Sequence, residues 1–247
     1  MKSAGYLADI GDAFGLLTRL PLPLTAPNVA QAAWAFALVG MAVGLLAGLA
    51  GLIAIWFGLP TPLAALVALT AQIILTGAMH EDGLADTVDG LWGGWNRAQR
   101  LEIMKDSHIG TFGTLALILS VSSRWAAFWL LFELDGAWAV AALITAGALS
   151  RATMPVLMCA LPNARGAGLS HGVGQPEWRI AGWGAALAAL AAVILMGWSG
   201  IGAAIAAMAA LVGVGLITKS KINGQTGDIL GATQQIVEIA TLLFILA

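Results

Sequence analysis

Residues 33–57 read AWAFALVGMAVGLLAGLAGLIAIWF, a run without a charged side chain that is long enough to cross a bilayer as one helix. Stretches of the same kind recur near 62–79, 112–132, 137–160, 180–197, 200–217 and 229–246. The expected fold is therefore all-α, a polytopic transmembrane helical bundle of about seven spans. Composition agrees, with 60% hydrophobic and 10% charged residues against about 45–50% and 25% in soluble domains. A net charge of −2 offers no basic surface to nucleic acid. Cys159 is the single cysteine, which rules out an intrachain disulfide and a cysteine-based metal cage.

Ahead of the first span, Tyr6, Ile10, Phe14 and Leu17 recur at helical spacing with Asp9, Asp12 and Arg19 among them. That is the pattern of an N-terminal interfacial helix lying on the membrane surface, and Pro21, Pro23 and Pro27 end it. Lys2 is followed by Asp9 and Asp12 rather than an apolar core and cleavage site, so no signal peptide is expected. Gly40, Gly44 and Gly48 repeat a G-x-x-x-G spacing that lets a neighbouring helix approach closely. Neither an internal repeat nor a linker divides the chain, so residues 1–247 are expected as one integral domain.

Orientation follows from the eleven Lys and Arg residues, because cytoplasmic loops retain positive charge. With the N-terminus inside, Lys2, Arg19, Arg97, Arg100, Lys105, Arg165, Arg179, Lys219 and Lys221 all fall on the cytoplasmic side, and no external loop carries a positive residue. The expected location is a bacterial inner membrane with the polar loops facing the cytoplasm.

The chemistry concentrates between residues 80 and 113. His80-Glu81-Asp82-Gly83-Leu84-Ala85-Asp86-Thr87-Val88-Asp89-Gly90 follows the second span and carries four carboxylates. If the helix continues, Asp82, Asp86 and Asp89 stand at i, i+4 and i+7, within an arc of about 60°, and Glu81 points away. Three carboxylates on one face repel one another unless a cation neutralises them. Hard oxygen ligands suit Mg²⁺ bound together with a substrate's phosphates. The plainer reading is a solvated acidic helix end, which the regular spacing beside a membrane disfavours.

A second cluster supplies cations: Arg97, Arg100, Glu102, Lys105, Asp106, Ser107 and His108 precede the third span. Lys105 and an arginine can hold diphosphate oxygens, the helix start near Thr111 adds backbone donors, and Asp106 can complete a metal shell. Alone, Arg97 and Arg100 read as headgroup or topology charges, and His108 as an interfacial side chain.

These segments resemble the cobalamin synthase (adenosylcobinamide-GDP ribazoletransferase) family over nearly the whole chain. The resemblance rests on Thr18-Arg19-Leu20-Pro21-Leu22-Pro23, His80-x-Asp82-Gly83-Leu84-Ala85-Asp86-Thr87-x-Asp89-Gly90, Leu101-Glu102-Ile103-Met104-Lys105-Asp106-Ser107-x-x-Gly110-Thr111, Ser150-Arg151, and Gly224-Gln225-Thr226-Gly227-Asp228-x-x-Gly231-Ala232. Glu81 falls at a variable position, and Asn223 stands where the pattern has a glycine. The resemblance implies an Mg²⁺-dependent late step of cobalamin biosynthesis, in which α-ribazole or its 5′-phosphate displaces GMP from adenosylcobinamide-GDP. It implies Asp82, Asp86, Asp89 and Asp106 for the metal, and Lys105 for the phosphates. The proton acceptor is left open between His80 and an aspartate. Arg19, Arg97, Arg100, Arg151, Gln225 and Asp228 are the substrate-contact candidates, with helix capping the equal alternative for Asp228.

Arg124 and Arg151 lie inside predicted spans, where a charge needs a polar cavity or a partner. Arg151, nearer the cytoplasmic half, is the better phosphate candidate, while Arg124 is expected to pair with Glu238. Two rivals fit less well. The CDP-alcohol phosphotransferase motif begins at Asp86, Asp89 and Gly90 but meets Gly93, Gly94, Ile103, Ser107 and Thr111 where its remaining residues belong. A transporter would place its charges at the midplane of an inverted repeat.

Overall fold

The computed structural model describes residues 5–22 and 29–247. Lys2, Pro23 and Pro27, read above as a topology charge and as helix breakers, lie outside the described residues. Helix α1 (Tyr6–Leu17) lays one face on the bundle, burying Asp12, Ala13 and Leu17 while Tyr6 and Leu7 stay exposed. A 3₁₀ turn, Val29–Ala35, leads into α2 (Phe36–Trp56), and Trp34 of that turn donates its indole N–H to Asp9 at 3.2 Å. The remaining helices are α3 (Thr61–Thr76), α4 (Met79–Gly93), α5 (Arg97–Ile103), α6 (Thr111–Leu134), α7 (Gly136–Ala160), α8 (Leu169–Val173), α9 (Trp178–Met196), α10 (Trp198–Ile222) and α11 (Gly227–Leu246).

Among the described residues six helices are long and apolar enough to cross a membrane, or seven if α3 and α4, which bend at their junction, count as one broken span. The acidic segment is helical through Asp82, Asp86 and Asp89, as the spacing supposes, but as a helix separate from the second span. α4 turns away from α3 by 85°, because Gly77 and Ala78 both adopt left-handed backbone, at φ 64° and 58°. Glycine takes that conformation freely, whereas for alanine it costs about 1–2 kcal/mol. A side chain at Gly77 would also strike Arg19, whose Nε lies 2.0 Å from the position of a Cβ. With four carboxylates and His80, α4 is too polar to face lipid, and it packs instead against α11 and α6.

α7 and α11 run through the centre, and exposed leucines and isoleucines such as Leu119, Ile194, Ile205 and Leu216 form the outer surface. The expected glycine contact is present between α2 and α7: a Cβ at Gly40 would sit 2.0 Å from the carbonyl oxygen of Gly147. A second close crossing matters more for the site. Gly83 of α4 and Gly231 of α11 face each other so tightly that a Cβ at Gly83 would lie 2.8 Å from the carbonyl oxygen of Asp228. Small residues here set the distance between the acidic helix and the start of α11.

Chain alternation places α4, α5, the 161–177 connection and the α10–α11 turn at one end of the bundle. Asn223 closes α10 in left-handed backbone at φ 52°, a conformation asparagine tolerates better than most residues, so its replacement of glycine leaves the turn intact.

Candidate active site

A cavity of about 210 Å³ opens at that end, lined by His80, Asp82 and Gly83 of α4, Arg165 and Ser170 of the 161–177 connection, and Asp228 of α11. Leu17, Phe36, Met154 and Met158 form its apolar floor. Asp82 is exposed, and Asp86 is partly buried one turn along the same face. Burial pushes the Asp86 carboxyl up to about 7, with Asp82 and then Asp228 adding to the rise and Arg165 opposing it. The carboxylates thus crowd one edge of the cavity with a single nearby cation against them.

His80 is buried, and its Nε2 has no hydrogen-bond partner. Desolvation holds this imidazole neutral, with Arg151 and Arg124 lowering its pKa further. Asp228 is not the cap of α11. Thr226 accepts from the Ile229 amide in that role, at 3.3 Å, which leaves Asp228 to face the cavity and pair with Arg165 Nη1 at 2.7 Å.

Asp89 does not share the site with Asp82 and Asp86. Its Oδ2 accepts from the Gly110 amide at 2.7 Å and its Oδ1 from the Gly113 amide at 2.8 Å. Both oxygens are therefore taken by unpaired donors at the N-terminus of α6. Asp106 lies beside Asp89 in a separate shallow depression and binds the His108 ring at 2.7 Å, a contact that lowers the carboxyl's pKa and raises the imidazole's. Lys105 is exposed on the same loop. Among the described residues no three His, Cys, Asp or Glu side chains stand together closely enough to hold a metal ion. The four-aspartate metal shell is therefore not assembled: helical spacing aligns Asp82, Asp86 and Asp89, but the start of α6 engages Asp89, and Asp106 pairs with His108 on its own loop.

Several expected substrate contacts serve the scaffold. Arg97 donates to the carbonyls of Ile222 at 2.8 Å and Ala164 at 2.7 Å, and Arg100 to those of Gly94 at 3.0 Å and Lys221 at 2.8 Å. Both arginines clamp α5 to the C-terminal end of α10, where carbonyls lack helical partners. Gln225 is buried, accepts from Ser170 Oγ at 2.7 Å, and exchanges backbone bonds with Pro162 and Ala164, fastening the Arg165 loop beside α11. Arg19 sits against the α3–α4 bend.

Arg151 is buried in the bundle, 4.0 Å from Glu238, rather than in the cavity. Glu238 also accepts from Gln72 at 2.6 Å and from Gln234. The expected Arg124–Glu238 pair is replaced by Arg124–Glu81 at 2.9 Å, with Gln235 donating to the same Glu81 oxygen at 3.3 Å. Arg165 was read from sequence only as a topology charge. The signal available was its place between Asn163 and two glycines, Gly166 and Gly168, in a short polar connection.

The family model described as cobalamin-5-phosphate synthase matches residues 9–246. A protein of Brucella ovis named adenosylcobinamide-GDP ribazoletransferase is 42% identical over 256 residues, covering 98% of each chain. One of the same name from Azorhizobium caulinodans is 43% identical over 264 residues, covering 100% of this chain and 98% of its own. No solved structure matches.

Proposed function

Because the chain belongs to the cobalamin-5-phosphate synthase family, we propose that it is the transferase that joins adenosylcobinamide-GDP to α-ribazole or its 5′-phosphate, releasing GMP. The observation that carries the reading is the cavity edge where Asp82 of α4 meets Asp228 and Arg165, with Asp86 one turn along the same helix face and within their electrostatic reach. A diphosphate ester brings negative charge, and this edge already holds more carboxylate than cation. The donor set therefore fits a hard divalent cation such as Mg²⁺, which binds through one or two carboxylates and takes its other ligands from phosphate and water. Asp82 and Asp86 would hold it, and bound there it supplies charge neutralisation for in-line phosphoryl transfer.

The chain's own residues then divide the work. His80 lines the cavity with an unpaired ring nitrogen, and it and the aspartates are the groups placed to take the proton of the attacking hydroxyl. Ser170 contributes a hydroxyl to the wall. The apolar floor of Leu17, Phe36, Met154 and Met158 keeps water from the reacting atoms. A cavity of this volume takes part of the donor or the acceptor, leaving the corrin ring at the open mouth. The mouth faces the cytoplasm of a bacterial inner membrane, in keeping with the Lys and Arg residues gathered at that end.

The test is turnover by the purified protein. With Mg²⁺ and both substrates, one GMP should appear for each adenosylcobalamin, and EDTA should stop it. Release of CMP from a CDP-alcohol, with no GMP from the corrinoid, would assign the site to lipid chemistry instead.

A further inference from the structure

We infer that Arg165 is a phosphate-binding residue held in reserve by Asp228, and that the ion pair opens when a diphosphate enters the cavity. The inference rests on the phosphoryl-transfer reading above and adds a residue and an exchange to it.

The geometry of the pair is the starting point. Arg165 spends only Nη1 on Asp228, at 2.7 Å, while its Nε and Nη2 are buried without a hydrogen-bond partner. Its side chain is 12% exposed and that of Asp228 21%. Each unmet buried donor carries a desolvation cost, which an acceptor reaching both sides of the fork would remove. Here two donors of the fork lie unmet in the wall of a cavity. A diphosphate, with oxygens on adjacent phosphorus atoms, offers the acceptors that Asp228 does not supply.

The loop is built to present this one side chain. The Asn163 side-chain oxygen accepts from the amides of Arg165 at 3.0 Å and Gly166 at 2.9 Å, folding the backbone tightly around residue 165. Ala164 N–H donates to the Gln225 carbonyl at 2.8 Å, tying the loop to the turn that starts α11. Gly166 and Gly168 take φ of 65° and 91°, turns that let Ala167, Gly168 and Ser170 continue along the cavity wall beside Arg165. Arg97, holding the Ala164 carbonyl at 2.7 Å, closes the other side.

Charge completes the argument. Asp82, Asp86 and Asp228 outnumber Arg165, so without ligand the arginine is better satisfied by a carboxylate than by solvent. When a diphosphate arrives, its oxygens compete with Asp228 for the fork, and the Asp228 carboxylate is displaced from Arg165.

Inorganic pyrophosphate with Mg²⁺ is the probe, and its Kd is measured by calorimetry on the full-length protein in detergent. Arg165→Gln should weaken binding about ten- to a hundredfold, the value of a charge-assisted fork. Arg165→Lys keeps the charge but not the fork and should weaken it about three- to tenfold. Asp228→Asn should tighten binding in the wild type and fail to do so in the Arg165→Gln background. An unchanged Kd in either Arg165 variant overturns the inference, so aggregation of one leaves the other decisive. Equal tightening by Asp228→Asn in both backgrounds also overturns it, since that is simple removal of a negative charge. Normal GMP release with Arg165-independent pyrophosphate binding would reject the exchange and leave the reaction standing. Arg165-dependent pyrophosphate binding by a protein that releases no GMP would do the reverse.

Discussion

Arg124 Nη2 donates to Glu81 Oε1 over 2.9 Å inside the bundle, with the arginine side chain 1% exposed and the carboxylate 10%. The pair joins α6 to α4 next to the cavity, because Glu81 is flanked in sequence by His80 and Asp82. Gln235 of α11 donates to the same carboxylate oxygen and accepts from Ser120 Oγ of α6 at 2.8 Å. Glu81 does point away from the aspartate face, but what it meets there is the anchor that fixes how α4 sits.

Removing Glu81 should therefore damage the fold rather than the chemistry. Glu81→Ala leaves Arg124 charged and buried without its partner, an error worth about 3–5 kcal/mol. Replacing both members, as Glu81→Met with Arg124→Met, should recover most of the lost stability, since apolar pairs of similar volume are tolerated in such places. Thermal unfolding in detergent is the measurement. A Glu81→Ala protein as stable as wild type would show that the pair contributes nothing.

The aspartates of α4 should separate by the same assay. Asp82→Ala and Asp86→Ala should lose turnover without losing thermal stability, since neither side chain anchors another element and removing either relieves carboxylate crowding. Asp89→Ala removes the acceptor of two α6 amides and should lower stability by about 1–2 kcal/mol as well. If Asp89→Ala melts like wild type but is inactive, its carboxylate acts in chemistry and not as a cap.

The spans were readable because a bilayer demands about twenty apolar residues whatever else the helix does, and the polar ends were readable as loops for the same reason. Helical spacing also placed Asp82, Asp86 and Asp89 on one arc correctly. What it could not tell is which neighbour each carboxylate meets, and here the α6 amides reach Asp89 first. The bend at Ala78 was hidden because alanine favours helix, and only the surrounding packing holds it in left-handed backbone. Arg165 was hidden for a different reason. Its partner Asp228 is far along the chain, and a lone arginine in a loop looks the same whether it sets topology or binds phosphate.

Topology can be checked directly. Reporter fusions after Asp135 and after His171 should read external and cytoplasmic respectively, because the two positions lie at opposite ends of α7. The reverse pair of results would turn the cavity to the outside and separate it from cytoplasmic nucleotides.

The last prediction concerns proton linkage at Asp86, whose carboxyl is raised to about 7 in the absence of metal. An unfolded aspartate titrates near about 4. Below that value both states are protonated, and above about 7 both are ionised, with the folded state bearing the full cost of crowding Asp86 against Asp82 and Asp228. Between the two values the folded state binds a proton that the unfolded state has released, so this group's contribution to stability falls as pH rises. Other groups titrate in the same range, so the quantity to follow is the Tm of wild type minus that of Asp86→Asn, both metal-free, from pH 5 to pH 8. That difference should fall steadily and flatten above about pH 7. Added Mg²⁺ should offset the fall at pH 8 in wild type, and do so less in the variant, because the cation supplies the charge the carboxylates lack. Its apparent affinity should also drop below pH 7 as protons compete for Asp86. A Tm difference that stays constant across this range would mean that Asp86 ionises at an ordinary pH, and that the carboxylate crowding inferred from the fold is absent.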